Sequence, residues 1–264
     1  MKNQHILAVA AAVVASMATV QAQSVFTAWN FTATQAAPIT SLSATTGAGT
    51  LNLIGFTSSA PSGDIVSTAG TAHSSFVEDT LRVRNASGGW SLSAPQYSQG
   101  IELDASTAGQ QNIGFSFDWY TTTQGIRDLA VEYNLDTGNS SGWTVIGGTT
   151  SASTYLATSN DYYGAASSSP TISIDLSSIT GANNDPTFGI RLVSAYDSTG
   201  NTASYASAAL SGGNTVAYNG TSGNWRFDNL DLTGTPTAAP EPAPMALVGL
   251  GLTTLFAFRR YRKA

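Results

Sequence analysis

An all-β fold, antiparallel sheets packed face to face as a jelly-roll β-sandwich, is predicted by three observations. Apolar and polar residues alternate with period 2 along many short runs of the central chain. Turn segments such as Asn85-Ala86-Ser87-Gly88-Gly89 and Asp136-Thr137-Gly138-Asn139 separate those runs. No comparable stretch carries a helical apolar stripe, so helical crossovers are missing and antiparallel pairing is what remains. With 264 residues, 42% of them hydrophobic, the chain is long enough for one sizeable core.

The first segment predicts export. Lys2 gives a small positive start, 6–14 is an apolar run too short for a stable membrane anchor, and Val20-Gln21-Ala22 places small or modest side chains before a cut by signal peptidase after Ala22. The body, 23–234, follows. Its strands are expected at 25–31, 50–56, 80–84, 112–120, 129–135, 143–146, 171–176, 187–193 and 225–232. The run 112–120 is the clearest: Ile113, Phe115, Phe117 and Trp119 point one way, and Gly114, Ser116, Asp118 and Tyr120 the other. Trp29 and Trp119 alternate with other apolar residues and are expected in the core.

A small-residue linker, 235–239, leads to a change of character. Pro240-Glu241-Pro242 opens the last segment, 240–264. The stretch 243–258 holds no charge and would form a hydrophobic helix about 24 Å long, which Arg259 and Arg260 can extend by snorkelling. Arg262 and Lys263 complete a basic end. Such an end stays on the cytoplasmic side, which leaves the body outside an inner membrane holding the precursor by this helix.

This segment resembles the PEP-CTERM sorting signal of Gram-negative bacteria in all three parts: Pro240-Glu241-Pro242, the Leu- and Gly-rich run Leu247-Val248-Gly249-Leu250-Gly251-Leu252, and the Arg cluster. The resemblance implies an exosortase, a membrane Cys protease, cutting near Pro240 to Pro242, with the mature protein at the cell surface or in extracellular polymer. The body resembles bacterial surface jelly-roll domains found before such tails, through Asn112-Ile113-Gly114-Phe115-Ser116-Phe117-Asp118-Trp119, Leu129-Ala130-Val131-Glu132-Tyr133-Asn134-Leu135-Asp136 and Asn224-Trp225-Arg226-Phe227-Asp228-Asn229-Leu230. That second resemblance bears on fold and not on activity.

Composition excludes several function classes. Between Gln23 and Ala239 stand five Arg, no Lys and 15 acidic residues, a formal charge of −10, which repels nucleic acid. Absence of Cys excludes disulfides, thiolate metal sites and a Cys nucleophile. Only 10% of the chain is charged, while 33 Ser and 34 Thr make up about a quarter of it, a balance foreign to an ordinary cytosolic enzyme.

Catalytic constellations are sparse. After signal removal His73 is the one His, in a small-residue stretch expected to be a solvated loop, so neither a multi-His metal site nor a well-supported triad results. A retaining glycosidase needs two carboxylates about 5 Å apart. Glu102-Leu103-Asp104 comes nearest, but Thr107 stands where a Glu-x-Asp-x-x-Glu pattern wants its third acid. The expectation is therefore a protein without catalytic activity, glycoside hydrolysis being the weaker alternative.

Binding sites are expected to be few. Asp197 and Asp228 are the weak candidates for Ca²⁺, the one cation that a chain offering only hard oxygen donors would take; no other cofactor is expected. Asp136-Thr137-Gly138 before Trp143 looks like a loosened Asp-box, whose carboxylate serves the turn. Four Asn-x-Ser/Thr sites, at Asn30, Asn85, Asn139 and Asn219, arise by chance in so Asn/Ser/Thr-rich a chain. Extracellular polysaccharide is the alternative partner, gripped by exposed rings on a rigid sandwich. Trp90, Tyr162 and Tyr163 are the aromatics expected to be exposed.

Overall fold

The structure, a computed structural model, describes residues 21–56, 61–67, 79–85, 90–91, 93–121, 125–126, 128–146, 156–157, 171–195 and 223–237. The expected signal helix and hydrophobic C-terminal helix fall outside them, except that Gln21 and Ala22 are exposed and belong to no element. Among the described residues no helix is long and apolar enough to cross a membrane. Their strands are β1 (Ser24–Trp29), β2 (Gln35–Ile39), β3 (Ser41–Ser43), β4 (Gly49–Ile54), β5 (Pro61–Ser67), β6 (Asp79–Asn85), β7 (Gly100–Ala105), β8 (Gln110–Thr121), β9 (Asp128–Asn134), β10 (Thr144–Val145), β11 (Leu156–Ala157), β12 (Thr171–Asp175), β13 (Gly189–Ala195) and β14 (Trp225–Pro236). A short 3₁₀ turn, Thr180–Ala182, lies between β12 and β13.

The strands form two seven-stranded antiparallel sheets. The first runs β12-β8-β14-β6-β5-β2 with β1 also on β14; the second runs β10-β9-β13-β7-β4-β3 with β11 also on β9. Their inner faces share one core. From the first sheet come Phe115, Phe117, Leu81, Phe227 and Leu232, from the second Leu51, Ile101, Leu103, Ile190 and Leu192. This is the expected all-β sandwich, and all nine expected strands are present with shifted ends.

Alternation explains why the sheets face this way. In β8, Ile113, Phe115, Phe117 and Trp119 are all buried in the core, each such side chain contributing about 1.5 to 3 kcal/mol. The Trp225 ring packs edge-on to Trp119 at 5.6 Å and to Phe227 at 5.9 Å, and its Nε1 donates to the Ile126 carbonyl at 2.8 Å. A buried indole N–H thus has its acceptor.

One irregularity has a clear origin. Strand β14 pairs with β6 through Trp225–Phe227 and with β1 from Leu230 onward, while β8 runs along its other side throughout. Where the partner changes, β14 gains one residue relative to β8, with Asp228 opposite Asp118 and Asp231 opposite Ser116. Asn229 takes the left-handed conformation this bulge needs, φ 48°, and its Nδ2 donates to Asp118 at 2.7 Å.

Strands β2, β3, β5, β7 and β11 are additions to the expected set. Their sequences are short, Ser/Gly/Pro-containing or acidic, and pairing with neighbours rather than propensity holds them in place. The expectation that Trp90 is exposed is overturned. Its ring lies 4.4 Å from that of Trp225 and 5.2 Å from that of Phe56, and it is 3% exposed, because the connection before β7 folds it into the core.

Candidate functional site

The outer face of the second sheet carries the densest group of chemically capable side chains. The register aligns Asn52 of β4, Glu102 of β7, Arg191 of β13 and Glu132 of β9 in one row. The next row holds Thr50, Asp104, Gly189 and Asn134. Alternation causes this: in β7, Ile101, Leu103 and Ala105 enter the core, so Glu102 and Asp104 must leave on the opposite face.

Arg191 is the hub. Its Nε donates to Glu102 at 2.6 Å, its Nη2 also pairs with Glu102, and its guanidinium sits 3.9 Å from the centre of the Trp143 ring. Space for the indole comes from Gly189, where a Cβ would stand 3.1 Å from the Trp143 Cη2 and still closer to Thr137. Glu132, on the far side of Arg191, is buried. Asp104 accepts from Asn52 Nδ2 at 3.2 Å through Oδ2, while its Oδ1 is buried without a partner.

Three carboxyls therefore share one guanidinium, and two of them hold their protons unusually well. Burial, then the negative charge of Glu102, pushes Asp104 up to about 6, against the pull of Arg191 and Asn52. Burial pushes Glu132 up to about 6 as well, with Arg191 opposing. The two rows thus hold an ion pair flanked by two carboxyls, Glu132 beside Arg191 and Asp104 in the next row, that exchange protons at about pH 6. One strand spacing on each side of Arg191 sets the Glu102 and Glu132 backbones about 10 Å apart.

Tyr97 bounds this row on one side, packing on Ala130, Val193 and Ala195 beside Ile54 and Val145. Trp143 bounds it on the other. The Asp136 turn below Trp143 behaves as a turn: the Asp136 carboxylate accepts from Gly138 N at 3.1 Å. Neither Tyr97 nor Trp143 was among the expected exposed rings. The signal for them was the spacing of Trp143 after a tight turn and the Ile101-Glu102-Leu103-Asp104-Ala105 alternation, which puts both acids on one face.

For a hydrolase the position of Thr107 is decisive against the Glu-x-Asp-x-x-Glu pattern. Its Oγ1 donates to the Ala182 carbonyl at 2.6 Å and accepts from Asp185 N at 2.8 Å, so the residue is a buried clamp beyond the end of β7.

The outer face of the first sheet gathers Asp118, Asp228 and Asp231. Asp118 accepts from Thr171 and from Asn229, and Asp228 accepts from the Asn229 backbone N–H at 2.8 Å. Burial, then the Asp118 charge, raises Asp231 above the usual carboxylate range. The Ca²⁺ candidate Asp228 thus serves a bulge. Among the described residues no group of three or more His, Cys, Asp or Glu side chains could hold a metal ion. A cavity of about 380 Å³ on the same face is lined by Gln23, Ser116, Ser173, Asp175 and Thr233 among others. Hydrogen bonds from Ser177 hold the Asp175 carboxyl below its usual range.

Of the remaining expected residues, His73, Tyr162, Tyr163, Asp197, Pro240, Glu241, Pro242, Arg259 and Arg260 lie outside the described residues. Ala22 lies within them, exposed and two residues before β1. At the other end, the Thr237 N–H donates to the Gly109 carbonyl at 2.8 Å, just after β14.

No curated protein matches the chain. Residues 238–263, which begin directly after Thr237, match the family model of the PEP-CTERM protein-sorting motif. The motif marks the chain as an exported protein addressed to an exosortase.

Proposed function

We propose that the chain is a cell-surface or extracellular-matrix protein without catalytic activity, delivered as a precursor, cut by signal peptidase after Ala22 and by an exosortase near Pro240 to Pro242. The observation that carries this reading is where the ladder stops. Ser24, the first residue of β1, lies opposite Gly234 of β14, and β14 ends at Pro236, two residues before the sorting motif at 238–263. Both cuts then fall outside β1 and β14. Resident Ca²⁺ is not part of this reading, and the precursor is held in the inner membrane by 243–258.

The sandwich is read as a jelly roll. In support, the chain passes repeatedly from sheet to sheet, β7 to β8 to β9 and β12 to β13 to β14.

Mass spectrometry of secreted material tests the processing. The mature body is expected several kDa below the 27.2 kDa of the full chain. Secreted protein still containing Arg259 and Lys263 would overturn it.

Polysaccharide binding is a second reading, favoured by one feature: the half-buried Trp143 ring against Arg191, in whose row Glu102 and Asn52 also lie. A ring edge bordered by charged and amide groups suits a sugar, whose C–H face stacks while its hydroxyls bond. Glycoside hydrolysis has less support, since Glu102 is paired with Arg191 and Thr107 is turned inward.

A further inference from the structure

Both processing signals leave the body from one end. Ser24 faces Gly234, and Pro236 faces Gln110 at the start of β8. Gln23 Nε2 donates to the Asn112 carbonyl at 2.6 Å, and Thr237 bonds Gly109 through its N–H at 2.8 Å and its Oγ1 at 3.2 Å. The β7–β8 turn, residues 106–109, closes this end, with Asn184 bonded to it through Oδ1 from Gly109 N at 2.8 Å.

The Thr237 bonds fix a short reach. Pro240 is three residues beyond Thr237, and an extended chain spans at most about 3.5 Å per residue, so Pro240 is tethered within about 10 Å of Thr237. A protease that cuts there meets the body as well as the peptide. The stretches that build this end, 21–27, 106–113, 176–184 and 232–237, contain no charged residue, although the body as a whole carries −10.

 The 106–109 turn itself carries no charge to be stripped of water. Asp175, exposed at the end of β12, lines a cavity with Gln23 and Thr233, and Asp185 meets the turn through its backbone bonds to Thr107.

We propose that this uncharged end, the 106–109 turn with Asn184 and the closing residues of β14, is the surface that docks on the exosortase while it cuts the sorting motif. The inference rests on the exosortase reading above. It adds that the enzyme handles a folded body, and that the turn, rather than any other part of the sandwich, lies against it.

Absence of Cys makes a single introduced thiol unique within this chain, so the chain can be labelled before it meets the Cys protease. The full chain, carrying either Ala108→Cys in the exposed turn or Ser93→Cys in the exposed connection before β7, is labelled with a thiol-directed photocrosslinker and only then reconstituted in membranes with an exosortase. Ala108→Cys is expected to crosslink to the exosortase at least fivefold more than Ser93→Cys. Equal yields, or crosslinks of Ala108→Cys to lipid alone, overturn the docking surface. In a second arm, Ser106→Asp with Ala108→Glu should slow cleavage about tenfold with thermal unfolding unchanged, and twelve Gly/Ser residues inserted after Thr237 should restore it. Cleavage at the original rate in the acidic variant also overturns the proposal. Pro240→Ala with Pro242→Ala separates the two readings: if that variant is cut normally, the exosortase assignment itself fails.

Discussion

The Arg191 guanidinium lies 3.9 Å from the centre of the Trp143 ring and donates through Nε to Glu102 at 2.6 Å. One cation thus serves a ring face and a carboxylate from two different directions. Because Glu102 sits on β7 and Trp143 just before β10, the contact ties strands that do not pair with each other. It also leaves Glu132 and Asp104 to share what remains of the positive field.

Removing the cation should be costly. The Arg191 and Glu102 side chains are 20% and 14% exposed, so Arg191→Ala strands a largely buried carboxylate and is expected to lower stability by about 3 kcal/mol. Adding Glu102→Gln should recover part of the loss. Urea denaturation of the single and double variants measures both, and a loss under about 1 kcal/mol would mean a solvated pair.

Stability should also depend on pH in a defined direction. Asp104 and Glu132 titrate at about 6 in the folded chain, above their ordinary values of 3.8 and 4.5. The folded state therefore binds protons more tightly than the unfolded one. Their contribution is fully present below about pH 4 and is lost as pH rises through 6. Asp104→Asn should raise the melting temperature at pH 7.5 and leave it nearly unchanged at pH 4. An equal change at both pH values would dissociate the effect from titration.

The register of β8 has its own test. Phe117 is fully buried and its neighbour Ser116 faces outward, so Phe117→Ala is expected to cost about 3 to 5 kcal/mol and Ser116→Ala under ~0.5. Chemical denaturation with equal losses at the two positions would contradict the packing.

For the polysaccharide reading, Trp143→Ala is the informative change. On a glycan array the intact chain is expected to retain a glycan that the variant binds at least tenfold more weakly, with the melting temperature lowered only modestly. No glycan retained at millimolar concentration by the intact chain ends that reading.

Much of this was legible in the sequence, and the reason is local. Alternation through Ile113, Phe115, Phe117 and Trp119 needs only the two-residue period of a strand, and it placed that face in the core. The tail from Pro240 onward is a linear address, read by an enzyme rather than by folding, so its residues alone identified it. Tertiary structure decided the rest, because it depends on which strands become neighbours. Nothing near Trp90 in the chain foretells Trp225, yet their rings meet at 4.4 Å and bury an aromatic that its loop-like surroundings suggested was free. Glu102, Arg191 and Glu132 are far apart in sequence, and only the order β7-β13-β9 sets them side by side. Their shared charge and raised proton affinity follow from that pairing, since burial and neighbouring charge are properties of the assembled face and not of any one segment.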